Sequence, residues 1–307
     1  MTHQLHLFDL AELNSAIATT EFAGHLHHLV TTPSTNSLAL EAAHAGARHG
    51  VWIADQQTAG RGRGTHAWHS PAGTEDAPAG LYMTALVSPP IPMRSALRLS
   101  FTTAIAVQSA ISSVFGFERP RQIDIRWPND LILNGRKCGG ILIETSAQPA
   151  PASGPAMLHY AAIGIGINLN QTTFPPELDP IATSLRKEMA GRQLHGPAAH
   201  SGELFTRSVE NSTKCRREPL AAAILIALDT ELRRLATSNQ QPTAGNLSQY
   251  STWLTGKRVR VEATNSAPDG LPSYTGTTAG LDPQGFLLVK DDAGNLRTVL
   301  SGGLREP

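Results

Sequence analysis

Residues 123–144 read IDIRWPNDLILNGRKCGGILIE, and the way this run divides decides the fold. Three short apolar pieces, Ile123 to Trp127, Leu131 to Leu133 and Gly140 to Glu144, are too short for helices and are rich in β-branched and aliphatic residues, so they read as strands. Pro128-Asn129-Asp130 separates the first two, and Asn134-Gly135, a strong two-residue hairpin signal, separates the last two. If the second and third pieces pair, Asp130 and Lys137 stand at opposite ends of a short hairpin and can face one pocket. A lysine there could hold an anion or could simply be a solvated turn residue.

Working outward, Tyr160 to Leu169 adds an apolar strand broken by Gly164 and Gly166, and Val51 to Ala54 and Leu81 to Val87 add two more. A strand-like piece starts at Leu29. Leu97 to Phe115 carries apolar residues at helical spacing and is the candidate core helix; Ala221 to Leu235, Leu38 to His44 and a short piece around Asp9 to Ala18 are further helices. After Gly256 the texture changes to short strands at close spacing, Arg258 to Glu262, Tyr274 to Leu281, Gly285 to Lys290 and Leu296 to Leu300, which predicts a small β-barrel. The expected architecture is α+β: a mixed sheet flanked by helices over residues 28–254, an N-terminal extension over 1–27, and the barrel over 255–307. Residues 191–217 contain a stretch that has no reading.

Composition narrows the class. The 307 residues include 27 Gly and 21 Pro, which point to many loops in a folded chain, and 25 basic residues balance 25 acidic ones. No overall field draws the protein to nucleic acid or anionic lipid, so any charged site is local. The N-terminus lacks a basic and apolar leader pattern, no apolar run is long enough to span a bilayer, and the expectation is a cytoplasmic protein. Cys138 and Cys215 are far apart and outside any CxxC pattern, so both are expected as reduced thiols, Cys138 as packing. The histidines His66 and His69 lack a third ligand nearby, and no zinc site is expected.

A glycine-rich segment, Gly60-Arg61-Gly62-Arg63-Gly64, follows Gln57-Thr58-Ala59. Glycines let backbone N–H groups approach an anion while two guanidiniums supply forked donors, although a solvated RGG-like loop has the same composition. Gly164-Ile165-Gly166-Ile167-Asn168 lets a ligand or another backbone pack on a strand, and Asn168 offers both donor and acceptor. It is no dinucleotide fingerprint, since the spacing is wrong and no helix follows directly.

Pro33-Ser34-Thr35-Asn36, Gln57 with Ala59 to Arg63, Arg126 to Asp130 with Lys137 to Glu144, and Gly164 to Asn170 together resemble the biotin–protein ligases in order and rough spacing, from about Leu29 to the C-terminus. Ala182 to Leu185 and the glycines at 276, 285, 302 and 303 fit the same pattern, the latter in that family's SH3-like barrel. The resemblance implies an ATP-dependent ligase that forms biotinyl-5′-AMP and passes biotin to a lysine of a biotin carboxyl carrier protein, that of acetyl-CoA carboxylase. It implies ATP with Mg²⁺ as cofactors and biotin as substrate, with no DNA or membrane partner, and it leaves a homodimer open. Ser34, Thr35 and Gln57 would bind the ureido ring, with Asn36 supporting that loop. Arg61, Gly62 and Arg63 would close over the biotin carboxylate and the phosphates, beside Lys137. Trp68, Asn129, Asp130 and Asn168 would lie on the nucleotide side, Asp130 near Mg²⁺ and no dedicated metal site otherwise. Lys137, Arg63 and Asp130 are the catalytic candidates, and no nucleophile is required.

Two positions depart from the family pattern. Gly64-Thr65-His66-Ala67-Trp68 lacks the further basic groups usual after Arg63, so either His66 partly substitutes or the adenylate is held less tightly, the latter being the expectation, and Arg126 stands where lysine is usual. Three rivals remain: a bifunctional ligase and repressor would need an N-terminal DNA-binding domain that the residues before Leu29 are too few to form, a lipoate ligase or octanoyl transferase would not need the Trp-Pro-Asn-Asp and Gly-Arg-Gly-Arg combination, and a non-catalytic binder would not need Lys137.

Overall fold

The computed structural model describes residues 8–74, 77–149, 154–195, 214–237, 247–262, 272–300 and 302–307. Most of the uninterpreted stretch, 196–213, and Ser301 lie outside these. The element order is α1 (Leu10–Ala16), β1 (Leu26–Thr32), α2 (Thr35–His44), β2 (Gly50–Gln57), the small hairpin β3 (Gly73–Thr74) and β4 (Ala77–Pro78), β5 (Gly80–Val87), α3 (Ala96–Phe115), β6 (Ile123–Arg126), β7 (Asp130–Leu133), β8 (Arg136–Ala147), β9 (Leu158–Asn168), α4 (Leu185–His195) and α5 (Arg217–Thr237). The C-terminal strands β10 (Thr255–Glu262), β11 (Tyr274–Leu281), β12 (Leu287–Asp291), β13 (Leu296–Val299) and β14 (Gly303–Arg305) follow.

Seven strands form one mixed sheet in the order β1-β2-β5-β9-β8-β7-β6, parallel only between β1 and β2. The period of two along each strand assigns the faces. Val51 and Ile53, Leu81, Met83 and Ala85, and Ile163, Ile165 and Ile167 point into the main core, which α3 and α5 cover. Their neighbours Trp52, Leu86, Tyr160 and Ala162 point the other way and pack under α2. Beyond α2 this face carries glycines, Gly164 and Gly166 on β9 and Gly140 on β8, and their missing side chains leave a hollow into which Asn36 and Trp68 fit. The N-terminal residues Leu13, Ile17 and Phe22 are fully buried in the main core, so this segment packs as part of it.

The hairpin signal at Asn134-Gly135 is a real two-residue turn: both residues have positive φ, 47° and 82°, as a turn matched to strand twist requires. β8 starts earlier than its apolar run suggests, at Arg136, because the turn hands the chain directly to the ladder. α2 likewise starts at Thr35, three residues before the Ala-rich stretch, with Ser34 as N-cap. α4 and β14 have no counterpart in the sequence reading. β14 is three residues long and pairs with β10, closing the order β13-β12-β11-β10-β14 of a five-stranded antiparallel sheet consistent with an SH3-like unit. That unit is tied to the large sheet by Trp127, whose buried indole Nε1 donates to Gly285 O at 3.2 Å.

Candidate functional site

The hollow has a polar end built around the start of α2. Thr35 and Gln57 meet because β1 and β2 run parallel in register, Thr32 opposite Gln57, and α2 begins just beyond. Gln57 Oε1 accepts from Thr35 N at 2.9 Å and from Thr35 Oγ1 at 3.2 Å, and Gln57 Nε2 donates to Ser70 Oγ at 2.9 Å. Thr84, a buried threonine inside the largely apolar strand β5, lies 2.8 Å from Thr35 Oγ1 and donates to Asn36 Oδ1 at 2.6 Å. Asn36 Nδ2 donates to Glu144 Oε2 at 2.9 Å. Ser34 is buried yet makes no capping hydrogen bond, so its hydroxyl is left for another partner. Asn36, by contrast, is committed at both amide atoms and supports the loop. A Cβ on Gly164 would lie 2.2 Å from Asn36 Oδ1, which is why β9 carries glycine there.

The other end is cationic. Lys137 Nζ lies 2.5 Å from Asp130 Oδ1, while Arg126 Nη2 donates to Asp130 Oδ2 at 2.7 Å. A bulge sets this geometry: Leu131 faces Gly139 whereas Ile132 faces Lys137, so Cys138 is the extra residue and turns inward to the core. Lys137 thereby reaches over Gly140, where a Cβ would be 3.5 Å from its Nζ. Burial alone would raise the Asp130 carboxyl, but the charges of Lys137 and Arg126 outweigh it and hold the group below its usual range. Burial depresses Arg63, and the charge of Asp130 opposes that shift. Lys137 and Arg126 thus pair with one carboxylate whose charge Arg63 also feels, a local positive excess suited to phosphate or carboxylate. The main chain of Lys137 is fixed too, its N–H donating to Ile181 O and its carbonyl accepting from Thr183 N.

The glycine-rich segment is a tight hairpin rather than an open cradle. Gly62 N donates to His66 O at 2.7 Å and Trp68 N to Gly60 O at 2.9 Å, so these amides are used within the hairpin and do not face an anion. The glycines serve its closure: a Cβ on Gly60 would lie 2.5 Å from Trp68 O. Arg63 sits at the tip, and Arg61 is turned to Glu144, with Nη1 and Nη2 donating to Oε1 and Oε2 at 3.0 and 2.6 Å. Trp68 lies flat in the hollow. Its Nε1 would be 2.5 Å from a Cβ on Gly166, Lys137 Nζ is 5.5 Å from its ring centre, and among the described residues the buried indole N–H has no acceptor.

Asn129 and Asn168 are brought near but are engaged. Asn129 Nδ2 donates to Ile141 O at 2.8 Å, clamping β8 where β7 begins, and Asn168 Nδ2 donates to Thr183 O at 3.0 Å. Sequence reasoning did not single out Ser70, Thr84 or Glu144 as site residues. Thr84 had a readable signal, one polar residue in an otherwise apolar strand; Ser70, in an irregular Pro/Gly stretch, had none.

Residues 30–168 match the model of the biotin/lipoate A/B protein ligase family. The chain is 31% identical over 287 residues to the bifunctional ligase/repressor BirA of Bacillus spizizenii, covering 92% of this chain and 75% of that one. It is also 31% identical over 274 residues to the biotin–[acetyl-CoA-carboxylase] ligase of Mycobacterium tuberculosis, with 89% and 85% covered. Among solved structures it is similar to the biotin protein ligase of Aquifex aeolicus in complex with biotin and ATP, with a TM-score of 0.65, 22% identity, and 92% and 100% of the two chains covered, which shows a shared fold.

Proposed function

The chain belongs to the biotin/lipoate A/B protein ligase family, and on that premise we propose that its hollow activates biotin with ATP and passes it to a lysine of an acceptor protein. The observation that carries this reading is a glycine-floored sheet face with two unlike ends, the neutral hydrogen-bonding group of Thr35, Gln57 and Ser34 and the cationic group of Lys137 and Arg63. Biotin has the same polarity: a ureido ring, whose burial without partners would be costly, and a carboxylate at the far end of an aliphatic chain.

The carboxylate oxygen attacks the α-phosphorus of ATP, forming the mixed anhydride biotinyl-5′-AMP and expelling pyrophosphate. Negative charge accumulates on the transferring group in the transition state, and Lys137 and Arg63 stabilise it in a site with little water to reorganise. Lys137 is paired with Asp130 before substrate arrives, so the substrate anion takes over a cation already held in place. Mg²⁺ would travel with ATP, the phosphates supplying most of its oxygen ligands; Asp130 is the carboxylate at this end of the hollow that could meet it, and the ion would neutralise phosphate charge. In the second step the neutral amine of the acceptor lysine attacks the anhydride carbonyl and AMP leaves. Trp68 offers its unpartnered N–H to the adenylate, and the hairpin carrying Arg61, Gly62 and Arg63 shields the anhydride from water. Asn129 and Asn168 act on the nucleotide side by holding β8 and the 181–183 segment.

The acceptor is a carboxyl carrier protein, that of acetyl-CoA carboxylase, and the protein works in the cytoplasm; among the described residues no helix is long and apolar enough to cross a membrane. Exchange of labelled pyrophosphate into ATP that requires biotin, and is not supported by lipoate or octanoate, tests the reading. Exchange with lipoate alone would assign the chain to the other branch of its family.

A further inference from the structure

Glu144 has no role in the chemistry above, yet it joins the two halves of the hollow. Each carboxylate oxygen accepts one nitrogen of Arg61, at 3.0 and 2.6 Å, a parallel bidentate pair, and Oε2 also accepts Asn36 Nδ2 at 2.9 Å. Asn36 is itself locked by Thr84 from one side and by contact with Gly164 from the other. A carboxylate whose second oxygen is bound to a buried amide has little freedom to follow the arginine. The arginine must come to it.

The hairpin from Gly60 to Trp68 needs such an anchor. Trp68 packs the base of the hairpin onto Gly166 and Gly140, and the internal hydrogen bonds, Gly62 to His66, His66 to Arg63 and Trp68 to Gly60, fix its shape but do not tie the strand of Arg61 to the sheet. Among the described residues between Arg61 and Ala67, the Arg61 side chain alone hydrogen-bonds to a residue outside the hairpin. Arg63, at the tip, is placed by what holds the strand carrying Arg61. Glu144 is opposite Ala162 on β9 while Gly140 is opposite Gly166, so Glu144 stands four residues along β8 from the lysine end, on the order of 13 Å away. At that separation it cannot touch the reacting atoms.

We propose that Glu144 is the positioning residue of the glycine-rich hairpin: through Arg61 it fixes the hairpin over the hollow and so sets how long the adenylate is retained. This rests on the function proposed above. The lack of basic residues between Gly64 and Trp68 makes the anchor matter more, since few other charges are present to hold the hairpin or its ligand. Arg61 and Glu144 are partly exposed, 42% and 27% in their side chains, so the effect is moderated by solvent screening.

The test uses the full chain and the variants Glu144→Gln, Arg61→Gln and both together. Biotinyl-5′-AMP is formed from labelled ATP, excess unlabelled ATP and biotin are added, and loss of bound label is followed. Each single variant should release the adenylate about tenfold faster, and the double variant no faster than either single one, because both changes remove the same link. Release at the wild-type rate by Glu144→Gln, or multiplicative effects in the double variant, would overturn the proposal. Hydrogen exchange of the Gly62 and Trp68 amides in the unliganded protein gives a second readout that needs no reaction. Those amides should exchange faster in Glu144→Gln with the melting temperature of the whole chain changed by only a few degrees; unchanged exchange would overturn the anchoring role. Wild-type protein that forms no adenylate while Glu144→Gln still loosens the hairpin would refute the proposed function and leave the anchor standing.

Discussion

Replacing Gly164 by alanine should unfasten the polar end of the hollow. The added Cβ would stand 2.2 Å from Asn36 Oδ1 and 3.0 Å from its Cγ, whereas ordinary contact begins near 3.4 Å. No positive φ is involved, so the cost is steric: Asn36 must move by about 1 Å, enough to carry hydrogen bonds of 2.6 and 2.9 Å, from Thr84 and to Glu144, out of range. Asn36 is 4% exposed, so water does not readily replace the partners lost by its Oδ1 and Nδ2, while Thr84 keeps Thr35 Oγ1 as its acceptor. At about 1–2 kcal/mol for each of two unsatisfied buried groups, the loss is about 2–4 kcal/mol, or roughly 5–15 °C in melting temperature for a chain of this size. Urea unfolding of Gly164→Ala beside Gly191→Ala measures it. Gly191 lies inside α4 with nothing within 4 Å of a Cβ, so its alanine variant should be neutral or stabilise by up to about 1 kcal/mol. A Gly164→Ala protein as stable as the wild type would show that Asn36 is not locked against β9 and would undo the account of the glycine floor.

Lys137→Ala should abolish biotin-dependent pyrophosphate exchange while far-ultraviolet circular dichroism stays native, at a stability cost of about 1.5–3 kcal/mol near neutral pH from the lost charge-assisted bond to Asp130; exchange retained within tenfold would remove Lys137 from the chemistry. That stability gap depends on pH. Asp130 is held below its ordinary value of 3.8, so the contribution of its pairing is complete above that value and is lost as pH falls through the lower folded-state value. Urea midpoints of wild type and Lys137→Ala should therefore converge in acid, and a gap that stays constant down to pH 2 would contradict the assignment. Gly166→Ala places a Cβ 2.5 Å from Trp68 Nε1 and should displace the indole, seen as a shift in tryptophan emission together with weaker adenylate retention; an emission spectrum unchanged from wild type would count against the stacking. Burial pushes the Cys138 thiol far up and the Cys215 thiol up to about 12, so neither should react with a thiol reagent until the chain unfolds, and rapid native labelling with loss of activity would overturn the assignment of Cys138 to packing.

What could be read from the chain was whatever residues close in sequence settle between themselves. Short apolar runs bounded by turn residues marked the strands, the helical spacing of Leu97 to Phe115 marked α3, and Asn134-Gly135 marked a turn because those two residue types tolerate positive φ at low cost. α4 was hidden because its polar sequence has weak amphipathic order, and β14 because three residues carry no pattern and pair only when β10 is already there. The motifs, taken jointly, also pointed to the reaction.

The placement of the site residues was another matter. Lys137 faces the hollow because one bulged residue, Cys138, reverses the side of the sheet that simple alternation would give, and that register is chosen by β7 and the 181–183 segment together. Arg61 reads as an anion binder in the chain, yet in the fold it is held by a glutamate 83 residues away. The glycines of the hairpin look like a phosphate cradle and turn out to close the hairpin on itself. Composition and local spacing determined which chemistry was present, since side-chain type and short-range backbone preference belong to the chain itself. Which groups face one another was decided only by tertiary structure, because a one-residue shift in register exchanges the two faces of a sheet and nothing local fixes it.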